Sequence, residues 1–380
     1  MLTEAPIATI TEHFAVVEDP RVDYLLDYPL EEILIIAICA VICGADDWVA
    51  VADWGRAKQA WLATFLPLKN GVPSHYTFRR TFQQIDPEQF QAGFMSWTQA
   101  VFRRTEGDIV AVDGKQLRGS GDKRHDQQAI CMVSAWAAEN RMVLGQRKTS
   151  EKSNEITAIP ALLQLLDLTG CIVTIDAAGC QRENAAIVVD QNADYLLSVK
   201  GNQGHLYDDI EFLFTCAHQN EFQGIDSDHV QTVCQGHGRI ETRDCWIIDD
   251  PTQLAFIRDR QKWANLQTIV MIRTIRRLDD KVESSTRYFI SSLVADAARF
   301  LQIKRTHWAI ENDLHWTLDL AFAEDHHQLR RGHGPANFSM LRHIAVNLLK
   351  QEETAKCGIK NKRLKAGWDN DYLLKVLQVR

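Results

Sequence analysis

The chain has 380 residues, of which 46% are apolar and 24% are charged, and its formal net charge is -8. These proportions are those of an ordinary globular protein, and the length allows two or three domains. The acidic balance argues against a nucleic-acid partner, because such proteins usually carry a basic footprint. The stretch at 356–368 is basic, so a local basic surface is still compatible with the sequence.

Neither a targeting signal nor a cross-linked framework is indicated. The longest apolar run, at 33–44, is too short to span a bilayer. The first 14 residues carry acids and lack the basic start of a secretory signal. Nine cysteines occur without a CxxC pair, so we expect neither disulfides nor a cysteine zinc site. These features predict a cytosolic protein without a membrane partner.

Residues 1–105 predict a helical domain with a possible role in DNA binding. The run at 33–44 predicts a buried helix, in which Cys39 and Cys43 are core residues. Tryptophans recur near helical spacing in the next helix, which Pro67 stops. Four arginines could face a polyanion or lie on a solvated helix surface: Arg79, Arg80, Arg103 and Arg104.

From residue 108 the pattern alternates between strands and helices. The predicted order is strand 108–114, strand 129–138, strand 141–148, helix 153–170, strand 171–179, helix 181–192 and strand 193–203. Thr157 is the expected cap of the first of these helices, since Pro160 would then fall in its first turn. Such alternation predicts a mixed five-stranded α/β sheet flanked by helices, within a domain at 106–350.

A strand-rich insertion at 201–295 interrupts this domain, and a basic tail at 351–380 follows it. In the insertion, alternate residues share one face of a strand. This face could contact a DNA backbone or form a cross-strand salt-bridge surface. The residues concerned are His237, Arg239, Glu241 and Arg243.

Three carboxylates are the strongest chemical signal. Asp113 and Asp176 end predicted strands, each before a small residue, and a later helix carries Glu311. Strand carboxyl ends form the usual ligand-binding edge of α/β sheets. Converging carboxylates repel one another unless cations neutralise them, and magnesium prefers oxygen ligands. Two such ions about 3.5 to 4 Å apart can activate a water or a 3′-hydroxyl and stabilise the leaving oxygen of a phosphodiester.

The stretch THWAIENDLHW, at 306–316, allows three interpretations of Glu311. Helical spacing would place His307, Glu311 and His315 on one stripe. The stripe could be a zinc-type cluster, although the HExxH order of zinc hydrolases is missing. Glu311 could instead serve metal-dependent chemistry with partners elsewhere, or be a satisfied carboxylate on a partly buried helix.

Cationic and amide side chains near the acids are candidate DNA contacts. Lys115 and Arg118 could hold phosphates or be solvated charges. A second group follows the fifth predicted strand, and a third lies just beyond the helix of Glu311. In chain order the candidates are Lys115, Arg118, Lys200, Asn202, Gln203, His237, Arg239, Arg243, His307, Asn312, Arg330 and Arg331.

Five stretches resemble a known family when they are taken in order: VAVDGKQLRGS, TIDAAGCQ, YLLSVKGNQ, GHGRIETR and HWAIENDLHWTLDLAFAED. They are similar to bacterial insertion-sequence transposases of the H-repeat-associated (ISAs-type) group, over about residues 10–350. The resemblance implies an RNase H-like core, a strand-rich insertion and an N-terminal helical region. It also implies a DDE triad on Asp113, Asp176 and Glu311, which would bind the metal ions.

One motif departs from the pattern of broader relatives. Their Tyr, Arg, Glu and Lys series corresponds here to Lys304, His307, Glu311 and Leu318. The resemblance implies that His307 replaces the arginine as a phosphate contact. The final lysine is absent.

The expected function is that of a DNA transposase. The resemblance implies cleavage and strand transfer at the ends of an insertion sequence, with two Mg²⁺ or Mn²⁺ ions. It also implies double-stranded DNA as the partner, a homodimer on paired ends, and a location in the bacterial cytosol at the nucleoid. Two alternatives are an RNase H-fold nuclease without strand transfer and a catalytically inactive DNA-binding descendant.

Overall fold

The computed structural model describes residues 8–22, 26–102, 106–122, 125, 128–149, 155–236, 238–278 and 281–378. These residues form two compact units. Unit 1 is drawn from Met1–Arg103, Gly114–Asn154 and Glu311–Arg380, and unit 2 from Arg104–Asp113 and Glu155–Ile310. The division differs from the predicted domain boundaries, because the N-terminal helices pack with segments from the middle and the end of the chain.

Helices make up most of unit 1 and part of unit 2. In chain order they are α1 (Ala8–Phe14), α2 (Leu30–Ile42), α3 (Trp48–Ala57), α4 (Gln59–Leu62), α5 (His75–Gln84), α6 (Pro87–Val101), α7 (Glu155–Leu163), α8 (Arg182–Asp190), α9 (Gly204–Gln219), α10 (Pro251–Leu254), α11 (Ala297–His307), α12 (Trp316–Phe322), α13 (Gly334–Gln351), α14 (Ile359–Trp368) and α15 (Asn370–Leu377). None of the helices in the described part of the chain combines the length and apolar character that a bilayer crossing requires.

The strands follow the predicted order closely. They are β1 (Ile109–Gln116), β2 (Cys131–Ala137), β3 (Met142–Lys148), β4 (Ile172–Ile175), β5 (Asp194–Val199), β6 (Ser227–Gly236), β7 (Arg239–Ile248), β8 (Thr268–Leu278) and β9 (Lys281–Ser291). All five strands predicted before residue 203 are present, because each combines β-branched residues with flanking turns.

Unit 2 contains a large mixed sheet in the order β1-β4-β5-β9-β8-β7-β6, to which β1 contributes its residues up to Asp113. The pairs β1/β4 and β4/β5 are parallel, and every later pair is antiparallel. The sheet was predicted to stop at the fifth strand, but β9 pairs with β5. The strands of the insertion therefore extend the sheet instead of forming a separate one.

Unit 1 is built around the long helix α13. Every residue from Gly334 to Leu349 is buried, including the apolar side chains of Leu341, Ile344 and Leu348. Helix α2 is also buried, as its apolar run predicted. The side chain of Asn347 pairs with both backbone groups of Val143 in β3 at 2.8 Å, which ties α13 to the antiparallel hairpin β2/β3.

The predicted basic tail is helical instead, since α14 and α15 pack inside unit 1. Arg363 is buried and donates to the carbonyl oxygen of Val41 at 2.9 Å, at the end of α2. Lys362 donates to the carbonyl oxygen of Leu349 at 2.9 Å, near the end of α13. Cations are favoured where helix carbonyls lack partners. These basic residues therefore cap helices and do not form a DNA surface.

The start of α7 also differs from the prediction. The helix covers Glu155–Leu163, so Pro160 lies inside it and Thr157 is not its cap. Proline lacks the amide hydrogen that an internal helical position normally donates. The burial of Pro160 together with Ala158 and Ile159 shows that packing outweighs this lost hydrogen bond.

Candidate active site

Asp113 and Asp176 lie side by side in unit 2. Strands β1 and β4 are parallel, with Val112 opposite Ile175, and the two acids are the next residues of their strands. Neighbouring strands are about 4.8 Å apart, and residues in the same register point to the same face. Both side chains are half-buried. The sheet therefore places a pair of carboxylates on two neighbouring parallel strands. Asp176 follows the end of β4 as the sequence predicted, whereas β1 continues to Gln116, beyond Asp113.

The loop after β4 holds Asp176 in place. Its Oδ1 accepts hydrogen bonds from the amides of Ala178 at 3.0 Å and Gly179 at 3.3 Å. A Cβ atom at Gly179 would lie 2.3 Å from a side-chain carbon of Ile175 and 2.7 Å from one of Ile159. A glycine is therefore needed for the loop to pack this closely beneath the acid.

Asn202 and Gln203 bind this loop. Nδ2 of Asn202 donates to the carbonyl oxygen of Ala177 at 2.8 Å, and Nε2 of Gln203 donates to that of Cys180. Both residues were predicted to contact DNA, but here their amide groups hold the segment that carries Asp176. Lys200 precedes them and is exposed, so it is available to a phosphate.

His307 supports β4 from α11. Its Nδ1 lies 2.8 Å from Oγ1 of Thr174, two residues before Asp176. Burial lowers the pKa of His307 to about 4, although the charge of Asp176 acts in the opposite direction. The imidazole is therefore neutral at pH 7. The predicted phosphate contact would have to be a neutral hydrogen bond, unlike the arginine it was expected to replace.

In unit 1, Lys115 is surrounded by carboxylates that sequence reasoning missed. Its Nζ lies 2.7 Å from Asp319, 3.2 Å from Asp325 and 3.4 Å from Glu324, and its side chain is only 10% exposed. Burial lowers its pKa, but the three acids outweigh burial and raise it. The residues belong to the motif LDLAFAED, whose acids were the available signal. Lys115 is thus a buried ion-pair partner instead of a solvated charge.

Arg118 and Arg330 lie close to this cluster within unit 1. Arg118 is 77% exposed and lies 3.5 Å from Asp325, so most of its guanidinium is accessible. Arg330 pairs with Asp122 at 2.9 Å. Arg331 is exposed. Arg118 and Arg331 are therefore the more accessible of the predicted DNA contacts in this unit.

Glu311 lies in a π-helical turn at Ile310–His315, between α11 and α12. A π-helix uses i→i+5 hydrogen bonds, so the predicted stripe at intervals of four residues does not hold through this turn. Glu311 and Asn312 are both exposed. In the part of the chain that the structure describes, Glu311 makes no hydrogen bond or ion pair. The interpretation of Glu311 as a satisfied carboxylate on a partly buried helix is therefore wrong.

The predicted DNA face of the insertion is partly a salt-bridge surface. Glu241 is 5% exposed and pairs with Arg243 at 2.6 Å and with Arg276 of β8 at 3.1 Å. Arg239 is exposed. His237, like Arg103 and Arg104 of the N-terminal region, lies outside the described residues. The alternative prediction, a salt-bridge surface, therefore applies to Glu241 and Arg243.

The structure brings two of the three predicted catalytic acids together. Asp113 and Asp176 share unit 2, whereas Glu311 belongs to unit 1. Among the described residues, no group of three or more His, Cys, Asp or Glu side chains is arranged to hold a metal ion. The pair alone offers oxygen donors of the kind that magnesium prefers.

The comparisons with known proteins identify the family of the chain. The family model of the transposase DDE domain matches residues 104–348, which include Asp113, Asp176 and Glu311. The model of the DDE_Tnp_1-associated domain matches residues 11–98.

Two relatives from Escherichia coli match almost the whole chain. "Putative transposase YncI" of strain O157:H7 is 40% identical over 98% of this chain and 95% of its own length. "H repeat-associated putative transposase YhhI" of strain K12 is 37% identical over 97% of each chain. A solved piggyBac transposase synaptic complex with hairpin DNA gives a TM-score of 0.42 at 8% identity, covering 95% of this chain and 75% of that one. From the family models and the relatives, the chain belongs to the family of transposases with a DDE domain.

Proposed function

We propose that this transposase cleaves phosphodiesters at the ends of an insertion sequence and joins the freed 3′ ends to a target duplex. Asp113, Asp176 and Glu311 are the catalytic carboxylates of this proposal. The register of β1 and β4 carries the proposal, since Val112 lies opposite Ile175 and Asp113 and Asp176 are the next residues along the chain, inside the matched domain. Glu311 is the third acid because it is exposed on a π-turn, a feature that is frequent at functional sites.

The acid pair suits a divalent cation. Both carboxylates are half-buried oxygen donors on neighbouring strands. In the proposal, Asp113, Asp176 and Glu311 hold two Mg²⁺ or Mn²⁺ ions. When bound, such ions lower the pKa of an attacking water or 3′-hydroxyl and neutralise the charge of the leaving oxygen.

The chain contributes mainly by positioning. In the cleavage step a water oxygen bonds to phosphorus, the bond to the 3′-oxygen breaks, and that oxygen leaves as a hydroxyl. In the transfer step this 3′-hydroxyl attacks a phosphorus of the target and displaces the target's own 3′-oxygen. No bond to the protein forms, so rate depends on placement and charge. The amides that fix Asp176 and the bond between His307 and Thr174 supply placement.

An RNase H-like core is the fold class that these strands support best. Strands β1, β4 and β5 are parallel in unit 2, and α8 connects β4 to β5. The hairpin β2/β3 lies between β1 and β4 in the chain. This is the order that the resemblance implied, with the insertion strands added beyond β5.

The proposed partner is double-stranded DNA, both as element end and as target. Family membership supports this assignment, and Lys200, Arg118 and Arg331 are exposed cations available to phosphates. A homodimer acting on paired ends in the bacterial cytosol is part of the same proposal. Light scattering of the complex with end DNA measures how many chains it contains.

Metal-dependent nicking of a duplex that carries the flanking repeats tests the proposal. The wild-type chain should nick in Mg²⁺ or Mn²⁺, and Glu311→Gln and Asp176→Asn should each lose at least about 99% of the rate, because a neutral amide does not supply the negative charge of a carboxylate metal ligand. Glu353→Gln is the matched control, since Glu353 is an exposed glutamate of the same unit.

Equal nicking by Glu311→Gln and the wild type would remove Glu311 from the chemistry. DNA binding without cleavage by any form would favour the inactive descendant. A labelled second duplex distinguishes the two remaining functions, transposase and nuclease. A transposase joins the cut end to this duplex, whereas a nuclease leaves the duplex unjoined.

A further inference from the structure

The sheet of unit 2 has one strongly basic face, formed by β7, β8 and β9. Residues directly opposite on antiparallel strands share a face, as do alternate residues along each strand. The register places Arg239 opposite Leu278 and Leu278 opposite Lys281, so these three share one face. We call it the basic face; its charged members are Arg239, Glu241, Arg243, Arg276, Lys281, Glu283 and Arg287.

The opposite face of the same three strands is close to neutral. It carries Arg273 and Arg277 with Asp244, whereas the basic face carries five cations and two acids. Exposed apolar side chains, Ile240 and Val282, also lie on that opposite face. The two faces are therefore suited to different neighbours, although they belong to the same strands.

Helix α11 adds a further cation to the basic face. Nζ of Lys304 lies 4.9 Å from the ring centroid of Trp308, and the guanidinium carbon of Arg287 lies 5.7 Å from the same centroid. Burial and the charges of Arg287 and Arg243 lower the pKa of Lys304 to about 8, although Glu241 acts in the opposite direction. Lys304 thus lies close to other positive charges, those of Arg287 and Arg243.

The acids of this face do not neutralise it. Glu241 serves two guanidinium groups at once, those of Arg243 and Arg276. Neither Lys304 nor Arg287 forms an ion pair with a carboxylate anywhere in the part of the chain that the structure describes. A bound anion would relieve the repulsion between them, and a guanidinium matches a phosphate in geometry as well as charge.

We infer that the basic face, with Lys304, binds the phosphate backbone of a DNA duplex through residues other than the proposed catalytic acids. The inference rests on the proposed function for its choice of DNA over an acidic protein surface. Contacts of this kind carry no base information. The face therefore contributes affinity for any sequence and adds to the salt dependence of binding.

Fluorescence anisotropy of the full chain with a 30-base-pair duplex, titrated with KCl, tests the inference. Arg287→Gln and Lys304→Gln should each weaken binding severalfold and reduce the slope of log affinity against log salt by about 0.9, the value of one phosphate contact. Repeat-end and random duplexes should lose affinity equally. Arg277→Gln is the matched control, since Arg277 is exposed on the opposite face of β8.

Unchanged affinity and slope in both variants would overturn the inference and leave an acidic protein surface as the partner. A loss as large in Arg277→Gln would overturn it too, because the effect would then be one of net charge. Nicking is measured separately with the wild-type chain and with Arg277→Gln, which should nick at the same rate. A chain that never nicks but shows the expected slopes would refute the proposed function alone.

Discussion

Asn202 and Gln203 position the proposed catalytic acid Asp176 through the backbone of its loop. Their amides hold the loop after β4, so Asn202→Ala should let Asp176 shift. Misplacement of about 1 Å can cost two orders of magnitude in rate. We expect nicking at saturating DNA to fall by at least about tenfold while DNA affinity stays within a factor of two. Lys200→Ala, a change in an exposed residue nearby, should instead lower DNA affinity and leave the nicking rate at saturating DNA nearly unchanged.

A fall in DNA affinity of Asn202→Ala without slower cleavage would support the prediction that this side chain contacts DNA and contradict the positioning role. Circular dichroism of the variant establishes that the loss is local, since removal of one buried hydrogen bond costs only about 1 to 3 kcal/mol of the unfolding free energy.

Lys304 predicts a pH dependence of DNA binding. It is charged in the free protein below its pKa of about 8 and neutral above it, whereas an ordinary lysine titrates near 10.5. Groups from three strands face it: Arg287, Arg243, Arg276 and Glu241. Affinity should therefore fall severalfold between pH 7 and pH 9.5 in the wild-type chain. The affinity of Lys304→Gln, measured by the same titration, should be nearly constant over this range.

Single residues were predictable where their place depends on the local strand. Asp176 follows β4 as its apolar run predicted, whereas β1 continues past Asp113 to Gln116; the parallel pairing of the two strands still makes the acids neighbours. The ion-pair partners of Lys115 could not be predicted, since Asp319 and Asp325 lie about two hundred residues away in the chain. A motif shows that a charge is present but not which charge neutralises it.

At the scale of elements, Glu352 holds the C-terminal helices to α13. Burial raises its pKa, but hydrogen bonds from Thr354 and from the hydroxyl of Tyr372 at 2.7 Å outweigh this and lower it from 4.5 to about 2. The carboxylate therefore stabilises the fold above pH 4.5, and the effect is lost as pH falls toward 2.

Glu352→Gln should reduce the free energy of unfolding by about 2 kcal/mol at pH 7, the usual value of hydrogen bonds to a buried charge. The difference from the wild type should narrow between pH 4.5 and pH 3, as urea denaturation would show. Glu353→Gln is the control, because this neighbouring side chain is exposed. A difference that stays constant with pH would contradict the assignment.

Elements with a strong period were predicted well, and those shaped by tertiary contacts were not. The buried helix α2 and strands β1 to β5 follow from apolar runs and β-branched residues. The π-turn at Ile310–His315 could not be predicted, because periodicity assumes one hydrogen-bond spacing throughout. The pairing of β9 with β5 also depends on a contact between residues nearly one hundred positions apart.

At the scale of the molecule, charge distribution matters more than charge balance. A net charge of -8 argued against DNA, yet β7, β8 and β9 collect five cations on a single face. Composition averages over the surface, whereas a phosphate responds to the few charges within a Debye length of about 8 to 10 Å. The acidic excess is thus compatible with the family to which the chain belongs.

The cysteines offer a test of the whole fold. None of the nine, all of which lie in the described part of the chain, is in a disulfide bond, and Cys357 is exposed while the others are buried or partly buried. Burial raises the pKa of the Cys39 and Cys180 thiols, which keeps them in the unreactive protonated form. We expect Ellman's reagent to titrate one thiol rapidly in the native chain and all nine after unfolding. Cys357→Ser should abolish the rapid phase, and a second rapid thiol would show that the packing is looser.

The π-turn at Glu311 has a consequence for how such a gene decays. Loss of a single codon within 310–315 would let the turn relax into an ordinary α-helix. A π-turn holds one residue more than the α-helical turn it replaces, so the flanking helical segments would keep their relative orientation while the residues left within the turn would change theirs. The reading frame would stay open and the product would still fold, yet Glu311 would point elsewhere if the lost codon were one of its neighbours. A mobile element can therefore lose its mobility through one in-frame deletion that leaves all three proposed catalytic acids in its sequence.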